Sequence, residues 1–108
     1  MSETHFVYTT LNNADEARKV GRAILDAKLA NCVNFFPITC IYNYEGEITE
    51  EPEVVLIIKM KAGNFAEVEK IIKSHIDYTN FIGEFAPENV NGEFEEWLCS
   101  VCVPSKKD

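Results

Sequence analysis

Residues 32–61 hold two runs that read as long strands folded back on each other about a single turn at Glu45-Gly46. The first, CVNFFPITCIYNY, is rich in aromatic and β-branched side chains, and the second, EVVLIIKMK, is almost continuously apolar at its centre. At about 3.3 Å per residue the first run reaches roughly 40 Å, well beyond the usual strand of about five or six residues. Such a hairpin projects past any sheet a small domain can build, and something has to cover the projection.

Strand parity points to the cover. Val54, Leu56, Ile58 and Met60 share one face of the second strand, but Val55 and Ile57 on the opposite face are apolar as well. An antiparallel sheet in a lone small domain normally keeps one wet face, and a chain of 108 residues is expected to have helix for only one side. The expected cover for the second face is another copy of the same chain. Self-association is thus inferred from the residues alone.

Length fits one globular domain, residues 1–108, with no linker, repeat or low-complexity segment. The start, MSETHFVYTT, lacks a basic region followed by a long apolar stretch, and no segment approaches the roughly 20 apolar residues of a membrane span. A soluble, cytoplasmic protein is expected. Its formal charge of −8 opposes binding to phosphate backbones, so nucleic acid is excluded as an expected partner. Cys32, Cys40, Cys99 and Cys102 are expected to be reduced thiols. Cys99-x-x-Cys102 reads either as packing or as a redox or metal half-site, without the strand-to-helix setting in which thiol pKa values fall.

Along the chain, residues 5–10 form a strand, and Asn13 with Glu16 has the spacing of a capping box that opens a helix ending near Ala30-Asn31. Its inner face, Ala17, Val20, Gly21, Ile24, Ala27 and Lys28, is mostly small, which lets it sit close to a sheet. In the hairpin Pro37 predicts a bulge or kink. Glu45, Glu47, Glu50, Glu51 and Glu53 crowd the tip and return, either to collect a hard divalent cation or as a charged rim against edge aggregation. Asn64 with Glu67 repeats the capping spacing before a second helix through Phe65, Val68, Ile71, Ile72 and His75. A turn at 77–80, a strand at 81–86 and a terminal helix at 93–102 carrying Phe94, Trp97, Leu98 and Val101 complete the order. That order predicts an α+β, ferredoxin-like split βαβ domain with a long β2-β3 hairpin and a short C-terminal helix.

Chemistry is sparse. No nucleophile motif, phosphate-cradling glycine loop or helical histidine pair occurs. The histidines are His5 and His75. His75 reads either as a packing residue or as a ligand or base oriented by Asp77 and Tyr78.

The chain resembles the CutA divalent-cation tolerance family over nearly its whole length. The matching pieces are Val7-Tyr8-Thr9-Thr10, Leu29-Ala30-Asn31-Cys32-Val33-Asn34 and Tyr42-Asn43-Tyr44-Glu45-Gly46, followed by Glu53, Lys59, His75, Tyr78 and the segment from Gly92 to Trp97. The resemblance implies a compact homotrimer related in architecture to the PII signalling trimers, with hairpins pairing between subunits at Val55, Ile57, Tyr42, Tyr44 and Trp97. It implies a non-enzymatic role in tolerance of copper and other divalent cations, with no cofactor required for folding. The implied metal ligand is His75, and Tyr78, Asp77, Glu53 and Lys59 are the implied lining of a ligand cleft. In some members a first-strand cysteine and two adjacent histidines bind copper; here Thr9 and Ile76 stand at two of those three positions. The alternatives are a small-molecule enzyme in the intersubunit clefts, with His75 as acid or base, and a structural or anchoring trimer.

Overall fold

A computed structural model describes residues 2–103. Seven elements follow in order: β1 (Thr4–Leu11), α1 (Ala14–Asp26), β2 (Ala30–Tyr44), β3 (Glu47–Lys61), α2 (Phe65–Ser74), β4 (Ile82–Phe85) and α3 (Gly92–Val101). The strands form one antiparallel sheet in the order β2-β3-β1-β4, so β1-α1-β2 is a βαβ unit split by β3. This is the expected ferredoxin-like α+β arrangement.

The turn at Glu45-Gly46 is set by backbone sign. Both residues take positive φ, 51° and 84°, the pair of left-handed conformations that a two-residue hairpin turn of matching twist requires. Register then runs unbroken from Tyr44↔Glu47 down to Cys32↔Lys59. β1 pairs with β3 only as far as Leu11↔Val54, so residues 38–53 stand free of the third strand as an arm. The chain is accordingly elongated, 46 × 26 × 23 Å.

Of the bulge or kink expected at Pro37, the bulge does not occur. Pro37 pairs in register with Val54, and the register shift falls instead between Ala30 and Cys32. The physical reason is that β2 is an edge strand, where a missing N–H interrupts no ladder on the open side. The bulge leaves Asn31 buried, with neither side-chain polar atom hydrogen-bonded among the described residues.

α1 begins as expected. Asn13 Oδ1 accepts the Glu16 N–H at 2.8 Å, and Glu16 Oε1 accepts the Asn12 N–H at 2.9 Å. It stops earlier, at Asp26, because Lys28 turns left-handed at φ 59° and hands the chain to β2. A Cβ on Gly21 would meet Val33 Cγ2 at 3.0 Å, so the small inner face does bring helix and strand into close contact. α2 lacks the expected cap: Asn64 is buried, and its Nδ2 donates to the Leu29 carbonyl at 3.4 Å.

Between these helices and the sheet lies the core, in which Val54, Leu56, Ile58 and Met60 of β3 meet Val7, Leu11, Val20, Ile24, Val68 and Ile72. The second sheet face departs from expectation. Val55 is 0% exposed in the single chain, between Thr10 and Phe36 in register and outside the main core cluster. Its burial therefore requires no neighbouring copy, contrary to the parity argument. α3 also lies on this face: Phe94 stacks under the Lys59 ammonium and shares a cleft with Phe6 and Ile57. The chain thus has helix for part of both faces.

Glu95 pins α3 to β1. Its carboxylate accepts from Ser2 Oγ, Thr4 Oγ1, and the Glu3 and Thr4 N–H groups, at 2.5–3.2 Å. The Ser2 and Thr4 hydroxyls first, then the two backbone donors, hold its pKa down to about 2 from an ordinary 4.5. A carboxyl depressed on folding stabilises above its unfolded pKa and stops doing so as pH falls through its folded one. Glu95→Gln is therefore expected to be less stable than the parent at neutral pH. The gap should close between pH 4.5 and pH 2, read as the difference between two series of urea melts.

Candidate functional site

Counting back from the turn, Cys40, Tyr42 and Tyr44 alternate onto one face of the arm, with Glu51 and Glu53 on the facing strand. The 77–80 turn swings over the root of this face. Together they form a cleft of about 590 Å3 lined by Cys40, Tyr42, Tyr44, Glu51, Glu53 and Tyr78.

Each wall is held by identifiable bonds. Tyr42 donates its hydroxyl to Glu51 at 2.9 Å, and the Tyr42 and Tyr44 rings meet edge to face, 6.4 Å between centroids. Asn80 fixes the turn by donating to Thr9 Oγ1 at 2.9 Å and to the Thr10 carbonyl at 2.8 Å. Tyr78 donates its hydroxyl to Glu16, the residue that also caps α1.

The carboxylates set the electrostatics. The bond to Glu51, then desolvation, raises the Tyr42 pKa; burial, then Glu16, raises that of Tyr78 well above the ordinary phenol. Desolvation and then Glu53 push the Cys40 thiol up. At neutral pH the cleft therefore presents carboxylate acceptors among neutral hydroxyl and thiol groups, the reverse of a thiolate site.

His75 stands apart from this cleft. It is exposed at the C-terminal end of α2, with Nδ1 2.9 Å from the Ile71 carbonyl and 3.2 Å from Ser74 Oγ. A carbonyl can only accept, so the bond to Ile71 puts a proton on Nδ1. Tyr78, assigned in the sequence to orient His75, bonds to Glu16 instead. The other histidine, His5, pairs through Nδ1 with Glu84 at 2.6 Å.

The four cleft candidates separate. Glu53 and Tyr78 share the arm cleft; Asp77 lies on the other side of the turn with Glu69, Lys73 and Tyr78; Lys59 lines a third cleft under α3. Val55 is buried, Ile57 half-buried, and Tyr44 and Trp97 are exposed. Among the described residues no group of three or more His, Cys, Asp or Glu side chains could hold a metal ion.

The residues at the copper positions do not fit copper. Thr9 is fully buried, and its hydroxyl donates to the Phe81 carbonyl at 2.8 Å while accepting from Asn80. Ile76 packs against the core. Copper selects soft thiolate and imidazole donors, and of that set only the His75 imidazole remains.

Sequence reasoning missed Cys40, Glu16 and Asn80 as parts of a site, and had Glu51 only as one of five glutamates that could collect a cation. Cys40 was accessible by counting cross-strand pairs outward from Glu45-Gly46. No local pattern links Glu16 to Tyr78, 62 residues away.

The chain is similar to known proteins along almost all of its length. The family model described as the CutA1 divalent ion tolerance protein matches residues 5–101. The divalent-cation tolerance protein CutA of Archaeoglobus fulgidus is 35% identical over 95 residues, covering 87% of this chain and 93% of that one. Its counterpart from Thermococcus kodakarensis is 34% identical over 100 residues, covering 92% and 96%. The crystal structure of CutA1 from Ehrlichia chaffeensis superposes with a TM-score of 0.89 at 27% identity, covering 96% of this chain and 99% of that one. A match that takes in all of the sheet but Thr4 and the whole of α3 leaves one assignment: the chain belongs to the CutA1 divalent ion tolerance family.

Proposed function

We propose that the chain works as a homotrimer in divalent-cation tolerance, binding the ion or a small effector in clefts completed between subunits. Family membership carries this reading. The family and its relatives are described by cation tolerance, and none of those descriptions names a catalytic activity.

Support for the trimer comes from the arm. Ile41 and Ile48 are 65% and 79% exposed on one of its faces, and Tyr44 is exposed on the other. Apolar side chains on both faces of an unaccompanied hairpin are surface that a neighbouring copy would bury.

For the ion, the arm cleft favours a hard cation or a cationic effector, because Glu51 and Glu53 are its charged groups and its thiol and phenols stay protonated. Of the three positions that the resemblance marks for copper, only His75 keeps a soft donor. A cytoplasmic setting is part of the proposal, supported by free thiols at all four cysteines.

The test is titration of the reduced, metal-free protein with Cu(I), Cu(II) and Zn(II), recording mass and stoichiometry. Saturable binding without turnover of any added substrate is the expected result, and catalytic turnover would favour an enzyme instead. His75→Ala is expected to change Cu(II) affinity by less than about threefold, since one exposed imidazole makes a poor site. A collapse of submicromolar affinity in that variant would restore His75 as the principal ligand.

A further inference from the structure

α3 and the loop before it roof a cleft of about 380 Å3 whose walls are mostly hydrocarbon, from Phe6, Ile57, Val90 and Phe94. Among the described residues Lys59 is its only charged lining residue. The ammonium is half-buried, 5.7 Å from the Phe94 ring centroid and 3.9 Å from Cys32 Sγ, and no ion pair to it exists among the described residues. A partly desolvated cation without a carboxylate partner favours an incoming anion through charge-assisted hydrogen bonds.

Helix α3 adds to this preference. Its N-terminal end borders the cleft at Asn91 and Phe94, and the Asn91 side chain makes no capping bond to the first-turn N–H groups. Helix N-termini favour negative charge. Two carboxylates in that first turn oppose an anion; Glu95 keeps its charge but turns it toward donors from Ser2, Glu3 and Thr4, and that of Glu93 is exposed to water.

We propose that this cleft binds a small monocarboxylate with an apolar, ring-sized body, the carboxylate against Lys59 and the body against Phe6, Ile57 and Phe94. A divalent cation is the wrong occupant, because Lys59 repels it. A phosphate ester would bring a second negative charge, and no second cation lines the cleft to meet it. The proposal invokes this chain's own Lys59, Phe6, Ile57 and Phe94 and an anion rather than a cation, so it does not rest on the cation-tolerance reading.

Phenylacetate is the probe, with phenylacetamide as its neutral match and acetate as the head alone. Each is added to the full-length protein in its native assembly and followed by amide NMR shifts. Phenylacetate is expected to shift Ile57, Lys59 and Phe94 saturably and to bind at least about tenfold tighter than phenylacetamide, while acetate does not saturate. Lys59→Met keeps the aliphatic stem and removes the charge, and is expected to erase that tenfold preference. Val90→Trp fills the cleft and is expected to abolish binding of both aromatic probes with circular dichroism unchanged. The proposal is overturned by equal binding of acid and amide, by a preference that survives Lys59→Met or Val90→Trp, or by no saturable shift up to about 10 mM phenylacetate. Any of these would leave the metal titration unaffected, so the two readings fail separately.

Discussion

Val55→Glu is expected to unfold the subunit itself rather than only to separate it from a neighbour. Val55 is 0% exposed within one chain, so a carboxylate there has no water to turn to. Full burial displaces an acid's pKa by about 3–5 units, so the folded carboxyl is protonated at pH 7, and keeping it so costs about 3.5 kcal/mol there, with the disrupted packing in addition. Domains of this size are stable by only about 5–15 kcal/mol. Because burial raises the folded-state pKa, the penalty should shrink as pH falls toward the unfolded value of about 4.5, where both states are protonated. Urea melts at pH 7 and pH 5 would show both effects. Ile57→Glu is expected to cost much less, about 1 kcal/mol, because Ile57 is half-buried and two residues along the same face from Lys59. Equal losses in the two variants would contradict this map of the second face.

The double variant Ile41→Glu with Ile48→Glu is expected to do the opposite, leaving a folded chain that no longer assembles. Both side chains are exposed in the subunit, on the same face of the arm, with Ile41 opposite Glu50 and Ile48 opposite Asn43. The substitutions therefore cost the isolated fold little. In the assembly they would have to be desolvated beside Glu50 without a cation to pair with, at several kcal/mol per site. Far-UV circular dichroism should be unchanged while light scattering falls from trimer to monomer. A variant that keeps the trimer mass would place the interface off this face of the arm.

Much of this was legible in the sequence, because period-two and helical patterns are local. Val54, Leu56, Ile58 and Met60 were assigned to the core by alternation alone, and Glu45-Gly46 to the turn by its glycine. What failed depended on neighbours distant in sequence. Pro37 reads as a bulge only while its strand is taken to have partners on both sides, and strand order is a property of the whole sheet. Asn64 has the spacing of a cap, but the Leu29 carbonyl, 35 residues away, competes for it. Val55 was given to a neighbour because period-two alternation shows that a face is apolar but not that the chain itself encloses it. The site was harder still. The residues singled out by resemblance, Glu53, Lys59, Asp77 and Tyr78, belong to three separate clefts, since positions six apart on one strand face lie about 20 Å apart.

The proposed trimer depends on an arm covered by further copies of the chain, and the mass of the reduced, metal-free protein at micromolar concentration tests this. Light scattering is predicted to give about three times the 12.3 kDa of one chain. A stable monomer at 12.3 kDa would contradict it.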